Sequence, residues 1–186
     1  LYRRGDFTTP GPEVQPGVPV VLDPSGRRTP IGSAAQDPRP ASSGRRLAFA
    51  RWLTRPGNPV TARVIVNRLW MRYFVTGLVS TPANFGLSGT QPTHPGLLDW
   101  LAVELVEGGW SLKRVHRRVL LSSTYRQSTS RTAADWQASR RIDPANHLLW
   151  HRPLKRLESE AVRDSVLRVS GEIDFYQGGP AVPIKA

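Results

Sequence analysis

Apolar side chains recur at helical spacing through the middle of this sequence, and that pattern constrains the fold more than any other feature. Three such faces follow one another: Ala62, Ile65, Val66, Leu69, Trp70 and Tyr73; then Leu97, Leu98, Leu101 and Leu105; then Leu112, Val115, Val119 and Leu120. A recurrence every three or four residues predicts amphipathic helices that bury one side. Good helix-starting residues precede them, with Asn58 and Pro59, Pro95, and Ser111 in turn. The pattern therefore predicts a helical core.

Further helices are predicted on both sides of this core. Residues 45–54 offer four apolar side chains to it, Leu47, Phe49, Ala50 and Leu53, and residues 133–141 favour a short exposed helix. A last helix is predicted over 154–170, where Leu157, Ala161, Val162, Val166 and Val169 have core spacing. The fold class we expect is mainly α, a compact bundle of about five helices with an extended, Pro/Gly-rich N-terminal arm.

Proline defines that N-terminal arm. Eight prolines lie within residues 1–44, and they forbid long helices there. The apolar residues at 18–22 favour one short strand, and the small, polar stretch 33–44 favours a linker. We therefore divide the chain into an extended arm and linker at 1–44 and a helical domain at 45–186. Because the first residue is Leu1, we expect the chain to be part of a longer protein.

Arginine dominates the charge of the chain. The sequence carries 26 Lys and Arg against 14 Asp and Glu, a net charge of +12, and three of the basic residues are lysines. This balance fits an anionic partner such as nucleic acid, sulfated glycan or lipid head group, but it equally fits arginines in structural ion pairs. The absence of cysteine excludes disulfides, thiolate nucleophiles and covalent haem attachment within this segment. No apolar run is long enough to predict a transmembrane segment.

The sequence contains no complete catalytic or metal-binding motif. It has no G-x-S-x-G, the sequence typical of one large class of serine hydrolases. His147 and His151 are four residues apart, but no glutamate base accompanies them, and we predict no metal site. The basic stretch 113–118 could contact nucleic acid, yet the tryptophans occupy mostly apolar helix positions, so nucleic-acid binding is the weaker hypothesis.

The best candidate site lies within residues 60–100, where polar side chains flank a loop joining two predicted helices. His94 and Asp99 stand at the junction of loop and helix and are the candidates for acid–base catalysis. The predicted ligand-binding residues are Arg63, Asn67, Arg68, Asn84 and Arg126. Two interpretations stay open: an open groove, or a buried arginine–carboxylate clamp that fixes the loop. A histidine before Pro95 is also typical of a helix cap.

Several phrases along the chain resemble a known family. They are 4–6 (RGD), 14–17 (VQPG), 66–70 (VNRLW), 77–86 (GLVSTPANFG), 92–95 (PTHP), 97–101 (LLDWL), 109–113 (GWSLK), 123–128 (STYRQS) and 156–164 (RLESEAVRD). Together they resemble the planctomycete-type domain of unknown function (family 1553) over nearly the whole chain. One departure is Val75, since the family's phrase reads more like Phe-Gly-x-Gly-Leu. The resemblance also implies that the chain stops within the family's C-terminal part, so we expect a truncated domain.

The resemblance implies an exported protein, periplasmic, secreted or at the cell surface. It implies a cytochrome-c-like module in the parent protein, so haem is expected in a neighbouring domain and no cofactor in this segment. The family has no established activity. We therefore expect an accessory or binding module whose partners are neighbouring domains of the same polypeptide or an anionic polysaccharide. The alternatives are an enzyme domain acting on carbohydrate and a basic nucleic-acid-binding domain.

Overall fold

The computed structural model describes residues 3–23, 26, 30, 31, 43–129, 132–176 and 178. Within these ranges the chain forms seven α-helices and no β-strand, which confirms the mainly α fold class. The helices are α1 (Arg45–Thr54), α2 (Thr61–Phe74), α3 (Pro95–Glu107), α4 (Leu112–Leu121), α5 (Ser123–Arg126), α6 (Ala133–Ile142) and α7 (Ser159–Ser170). The chain divides into two compact units, Leu1–Pro153 and Leu154–Ala186, and α7 belongs to the second.

Helices α2, α3 and α4 form the core of the first unit. Helix α2 packs along α3, and α4 contacts both. The buried side chains of the core cluster come from these helices and from the chain after α2, and they include Val66, Trp70, Phe74, Leu78, Val79, Leu98, Leu101, Leu105, Val115 and Val119. The predicted apolar faces are thus confirmed for α2 and α3. The third is confirmed in part, since Val115 and Val119 are buried while Leu112 and Leu120 are exposed.

Local chemistry sets the helix ends of this core. The Asn58 side chain accepts hydrogen bonds from the backbone N–H groups of Val60 and Thr61, at 3.0 and 3.1 Å, and so satisfies donors at the entry to α2. Helix α2 ends at Phe74. The next residue, Val75, has a φ of 70° and lies in a γ-turn in which Thr76 N–H donates to Phe74 C=O. Proline begins α3, and the Ser111 hydroxyl caps α4.

Two expectations about the N-terminal half are wrong. The strand predicted at 18–22 is instead a 3-10 turn at Val20–Leu22, because Pro19 C=O accepts from Leu22 N–H at 3.0 Å. Helix α1 has the predicted bounds but buries Trp52, while Leu47 and Phe49 are exposed. Of the predicted linker at 33–44, residues 33–42 lie outside the described residues.

The C-terminal half also differs from expectation. The last helix begins at Ser159, after an extended stretch that includes Pro153, and not at 154. Its valines are exposed where burial was predicted, with Val162, Val166 and Val169 at 48%, 62% and 89% exposure. Helix α5 was not predicted, because four residues are too short to show periodicity. No helix in the described ranges has both the length and the apolar character that crossing a bilayer requires.

Candidate functional site

A cleft of about 460 Å³ opens between the start of α2 and one face of α3. The turn before α2 forms one wall, and small apolar side chains line the floor. Its polar lining residues are Asn58, Arg63, Asp99 and Glu107. Two of the seven predicted site residues, Arg63 and Asp99, therefore meet in this cleft. The other five do not line it in the described part of the chain: Asn67, Arg68, Asn84, His94 and Arg126.

Arg63 and Asp99 form an ion pair across the two helices. The Arg63 Nε donates to Asp99 Oδ1 at 2.6 Å, and a second guanidinium nitrogen donates to the backbone oxygen of Pro59. The hydrogen bond from Arg63 holds the pKa of the Asp99 carboxyl below its ordinary value of 3.8. Asp99 is therefore ionised at neutral pH and carries no proton to donate. The catalytic role assigned to it stays a prediction.

Asn67 is fully buried and holds the chain that leaves α2. Its amide donates to the Val79 backbone oxygen at 3.0 Å and accepts from the Val79 N–H at 2.9 Å. A Cβ at Gly77 would lie 2.7 Å from the Asn67 Oδ1, so only glycine permits this approach. Asn67 therefore lies inside the core, where its amide pairs with a backbone segment. Its predicted role in ligand binding stays a prediction.

Asn84 organises the loop between α2 and α3. Its side chain accepts from Gly86 N–H at 3.0 Å and donates to the Ser88 hydroxyl at 3.0 Å. The Thr81 hydroxyl accepts from Thr90 N–H and donates to the Asn84 backbone oxygen, which ties the two ends of the loop together. Half-buried His94 precedes α3, with its Nδ1 3.0 Å from the Thr93 hydroxyl. These bonds fix the loop without bringing Asn84 or His94 to the cleft.

An arginine surface lies on α4, and we use that name for Lys113, Arg114, Arg117 and Arg118. Three of these residues, with Leu121 and Ser122, line a depression of about 490 Å³. Glu104 on α3 receives hydrogen bonds from Arg114 and Arg118, at 3.3 and 3.2 Å. The bond from Arg114, with that from Arg118, holds the pKa of the Glu104 carboxyl below its ordinary value of 4.5. One carboxylate thus pairs with two of the four cationic side chains of the arginine surface.

The remaining predicted residues lie apart from both places. Arg68 is exposed on α2, and Arg126 is exposed at the end of α5. Arg126 was predicted to bind ligand together with residues of the 60–100 segment, and that role stays a prediction. The sequence also offered no indication of the cleft wall at residues 56–59 or of Glu107 at the far end of the cleft. Turn residues and an exposed glutamate carry no periodic signal.

Two aromatic contacts hold α4 and the segment after α6 to the core. The Tyr73 hydroxyl is hydrogen-bonded to His116 Nδ1, and burial raises the pKa of that hydroxyl above its ordinary value of 10. The Arg152 guanidinium lies 3.8 Å from the centroid of the Tyr125 ring and donates to the Tyr125 backbone oxygen. Both contacts join elements of the first unit, and neither residue pair lines the cleft or the depression described above.

The described residues contain no group of three or more His, Cys, Asp or Glu that could hold a metal ion. His147 and His151 lie in a turn where the Asp143 carboxylate accepts from the backbone N–H groups of His147 and Leu148. His151 packs against Trp136 and Trp150. The two imidazoles therefore belong to a structured turn and not to one face of a helix.

A family model described as "Protein of unknown function (DUF1553)", PSD1, matches residues 45–186. The chain belongs to the DUF1553 family. The match begins with the first residue of α1 and includes the cleft and the arginine surface. No curated protein and no solved structure matches the chain. The DUF1553 assignment confirms the resemblance seen in the sequence, while the planctomycete origin and the cytochrome-c-like neighbour stay predictions.

Proposed function

We propose that this DUF1553 domain is an accessory binding module of an exported multidomain protein, adjacent to a cytochrome-c-like domain, and that its arginine surface binds an anionic polysaccharide. The observation that carries the proposal is that three arginines of α4, Arg114, Arg117 and Arg118, line one open depression. The exported setting and the cytochrome-c-like neighbour rest on the sequence resemblance alone.

The arginine surface suits sulfate or carboxylate groups on a flexible chain. Glu104 holds Arg114 and Arg118 in place from one side, so their guanidinium groups are partly ordered before a ligand arrives. A side chain at Gly108 would crowd Arg114, whose Cδ lies 2.9 Å from the position of a Cβ there. Planar guanidinium forks bind such oxygen pairs better than ammonium groups do.

The composition of the depression favours polysaccharide over single-stranded nucleic acid. Proteins that bind single-stranded nucleic acid usually add aromatic side chains on which bases stack. The residues that line the depression are three arginines, Leu121 and Ser122, without an aromatic ring. Exposed Leu121 adds an apolar contact next to the cations.

The test is binding to heparin, with neutral dextran as a control, at a series of salt concentrations. We expect heparin binding that weakens steeply with salt, because exposed charges are screened within about 8–10 Å at 0.1–0.15 M salt. Arg117→Ala should weaken binding about 2–5-fold, since a surface ion pair contributes up to about 1 kcal/mol. Arg117 is chosen because Glu104 pairs with Arg114 and Arg118.

Arg140→Ala on α6 is the matched control, an exposed arginine on another helix. It should change heparin binding less than twofold. Equal losses in Arg117→Ala and Arg140→Ala would show a diffuse charge effect and remove the arginine surface as the site. Tighter binding of duplex DNA than of heparin at equal salt would instead favour the nucleic-acid alternative.

A further inference from the structure

The cleft between α2 and α3 has the form of a short groove with an apolar floor. Its α3 side consists of residues 99, 102, 103, 106 and 107, which form one stripe along the helix. Eight residues separate Asp99 from Glu107, so the two carboxylates lie at opposite ends of a groove about 12 Å long. Between them, the floor is made by Ala62, Ala102, Val103 and Val106.

The shape of this groove is built into the fold. Ala62 and Ala102 are buried, and their small side chains leave the space that larger residues would fill. The opposite wall is the turn at residues 56–59. Asn58 fixes it with side-chain hydrogen bonds to Val60 N–H, Thr61 N–H and the Trp52 backbone oxygen. Arg63 adds a bond to Pro59 C=O. A groove held in this way loses little conformational freedom when a ligand enters.

The charge of the groove is opposite to that of the whole chain. The Arg63 guanidinium is neutralised by Asp99 at one end. Glu107 at the other end is exposed, and no hydrogen bond or ion pair to it is seen among the described residues. The groove therefore carries a net negative charge on a chain whose net charge is +12. At the Glu107 end, the lining residues therefore favour a cationic group over an anionic one.

We infer that this groove is a docking site for a partner protein segment in which an aliphatic side chain lies next to a lysine or arginine. The aliphatic side chain covers Val103, which is 51% exposed, and the apolar floor beside it. The cation pairs with Glu107. The inference rests on the α2–α3 groove alone and is independent of the function proposed for α4.

The probe is the capped tripeptide acetyl-Leu-Lys-Leu-amide, titrated into the whole chain and followed by backbone amide NMR. The analogues with Gln or Glu in place of Lys test the charge preference. We expect saturable shifts at Ala62, Val103 and Val106 with the Lys peptide, and binding at least threefold weaker with the Glu peptide. Equal binding of all three peptides, or shifts that avoid the groove, would overturn the inference.

Two exposed positions allow variants that leave the core intact. Glu107→Gln should weaken binding of the Lys peptide about 2–5-fold and remove the preference over the Gln peptide, as expected for one exposed ion pair. Val103→Ser should weaken the binding of all three peptides by the same factor. Glu172→Gln, an exposed glutamate of the second unit, is the matched control and should change nothing. Shifts at the groove that depend on protein concentration without peptide would show a second copy as the occupant and overturn the proposal.

Discussion

Helices α3 and α7 have similar sequence patterns and opposite environments. Both repeat aliphatic residues at helical spacing, and on that basis both were predicted to face a core. In α3 the repeat is buried, with Leu105 at 0% exposure, because α2 and α4 cover it. In α7 no residue is buried. Periodicity therefore specifies which face of a helix is apolar. Whether another element covers that face is decided by the tertiary fold.

The largest expected difference between these helices is in side-chain truncation. Leu105→Ala should lower the free energy of unfolding by about 2–5 kcal/mol, because it removes buried contacts and leaves a cavity in the core. Val166→Ala on α7 should change it by no more than about 0.5 kcal/mol, since its side chain is already 62% exposed. Chemical denaturation followed by tryptophan fluorescence measures both. Comparable losses would mean that α7 is covered in solution.

A buried and a half-buried asparagine extend the same comparison. Asn67→Ala should cost about 1–3 kcal/mol of stability, because it leaves the N–H and C=O of buried Val79 without their partner. Asn84→Ala removes bonds in a loop that water reaches and should cost less than about 1 kcal/mol. The measurement is again denaturant unfolding. If Asn84→Ala cost as much as Asn67→Ala, the loop would be part of the cooperative core.

The parts of the fold that were predictable depend on repetition along the chain. The bounds of α1 and the buried faces of α2 and α3 follow from spacing and from helix-starting residues such as Pro95. Asn67 shows the limit of that reasoning. An asparagine among arginines predicts a solvent face, yet its amide matches one backbone segment twelve residues ahead. Two hydrogen bonds between residues far apart in sequence produce no periodic pattern from which they could be predicted.

The candidate site was predictable only as far as its elements lie close in sequence. Arg63 and Asp99 were both selected as polar residues near one loop, and the packing of α2 on α3 brings them together. Glu107 was not selected, because its importance arises from the turn at 56–59 that faces α3. Charge partners such as Glu104 and Arg118 come from different helices, so their pairing follows from helix packing and not from spacing.

The exits of α2 and α7 offer a test of backbone strain. Val75 has a φ of 70° at the first exit, where a β-branched residue is strained, whereas Gly171 has a φ of 81° at the second. Val75→Gly should therefore raise the free energy of unfolding by about 1 kcal/mol. This figure is the backbone strain that glycine relieves, minus the conformational freedom that glycine adds to the unfolded chain. Its side chain is 52% exposed and loses little packing. Gly171→Val should lower the helicity of α7, because valine is strained at this φ.

Thermal unfolding followed by circular dichroism measures the effect of Val75→Gly as a higher midpoint. A neutral or lower midpoint would show that packing of the Val75 side chain offsets the strain.

The smallest expected effect is the change of stability on acidification, which should depend on Glu104 on α3 and not on Glu160 on α7. Hydrogen bonds from Arg114 and Arg118 lower the pKa of Glu104. The pKa of Glu160 is lowered by hydrogen bonds from the Glu160 backbone N–H and from the Ser159 hydroxyl. A carboxyl with a lowered pKa in the folded state stabilises the fold above its ordinary pKa. That stability is lost as the pH falls below about 4.5 towards the lowered value.

Glu104→Gln should therefore flatten the loss of stability of the first unit between about pH 5 and pH 3, because the charge that Arg114 and Arg118 favour is absent at every pH. Glu160→Gln should leave that profile unchanged, since its partners lie within the first turn of α7. Urea midpoints measured across this range for both variants make the comparison. Equal flattening would mean that Glu160 also has a partner in the core, and α7 would no longer differ from α3 in its electrostatics.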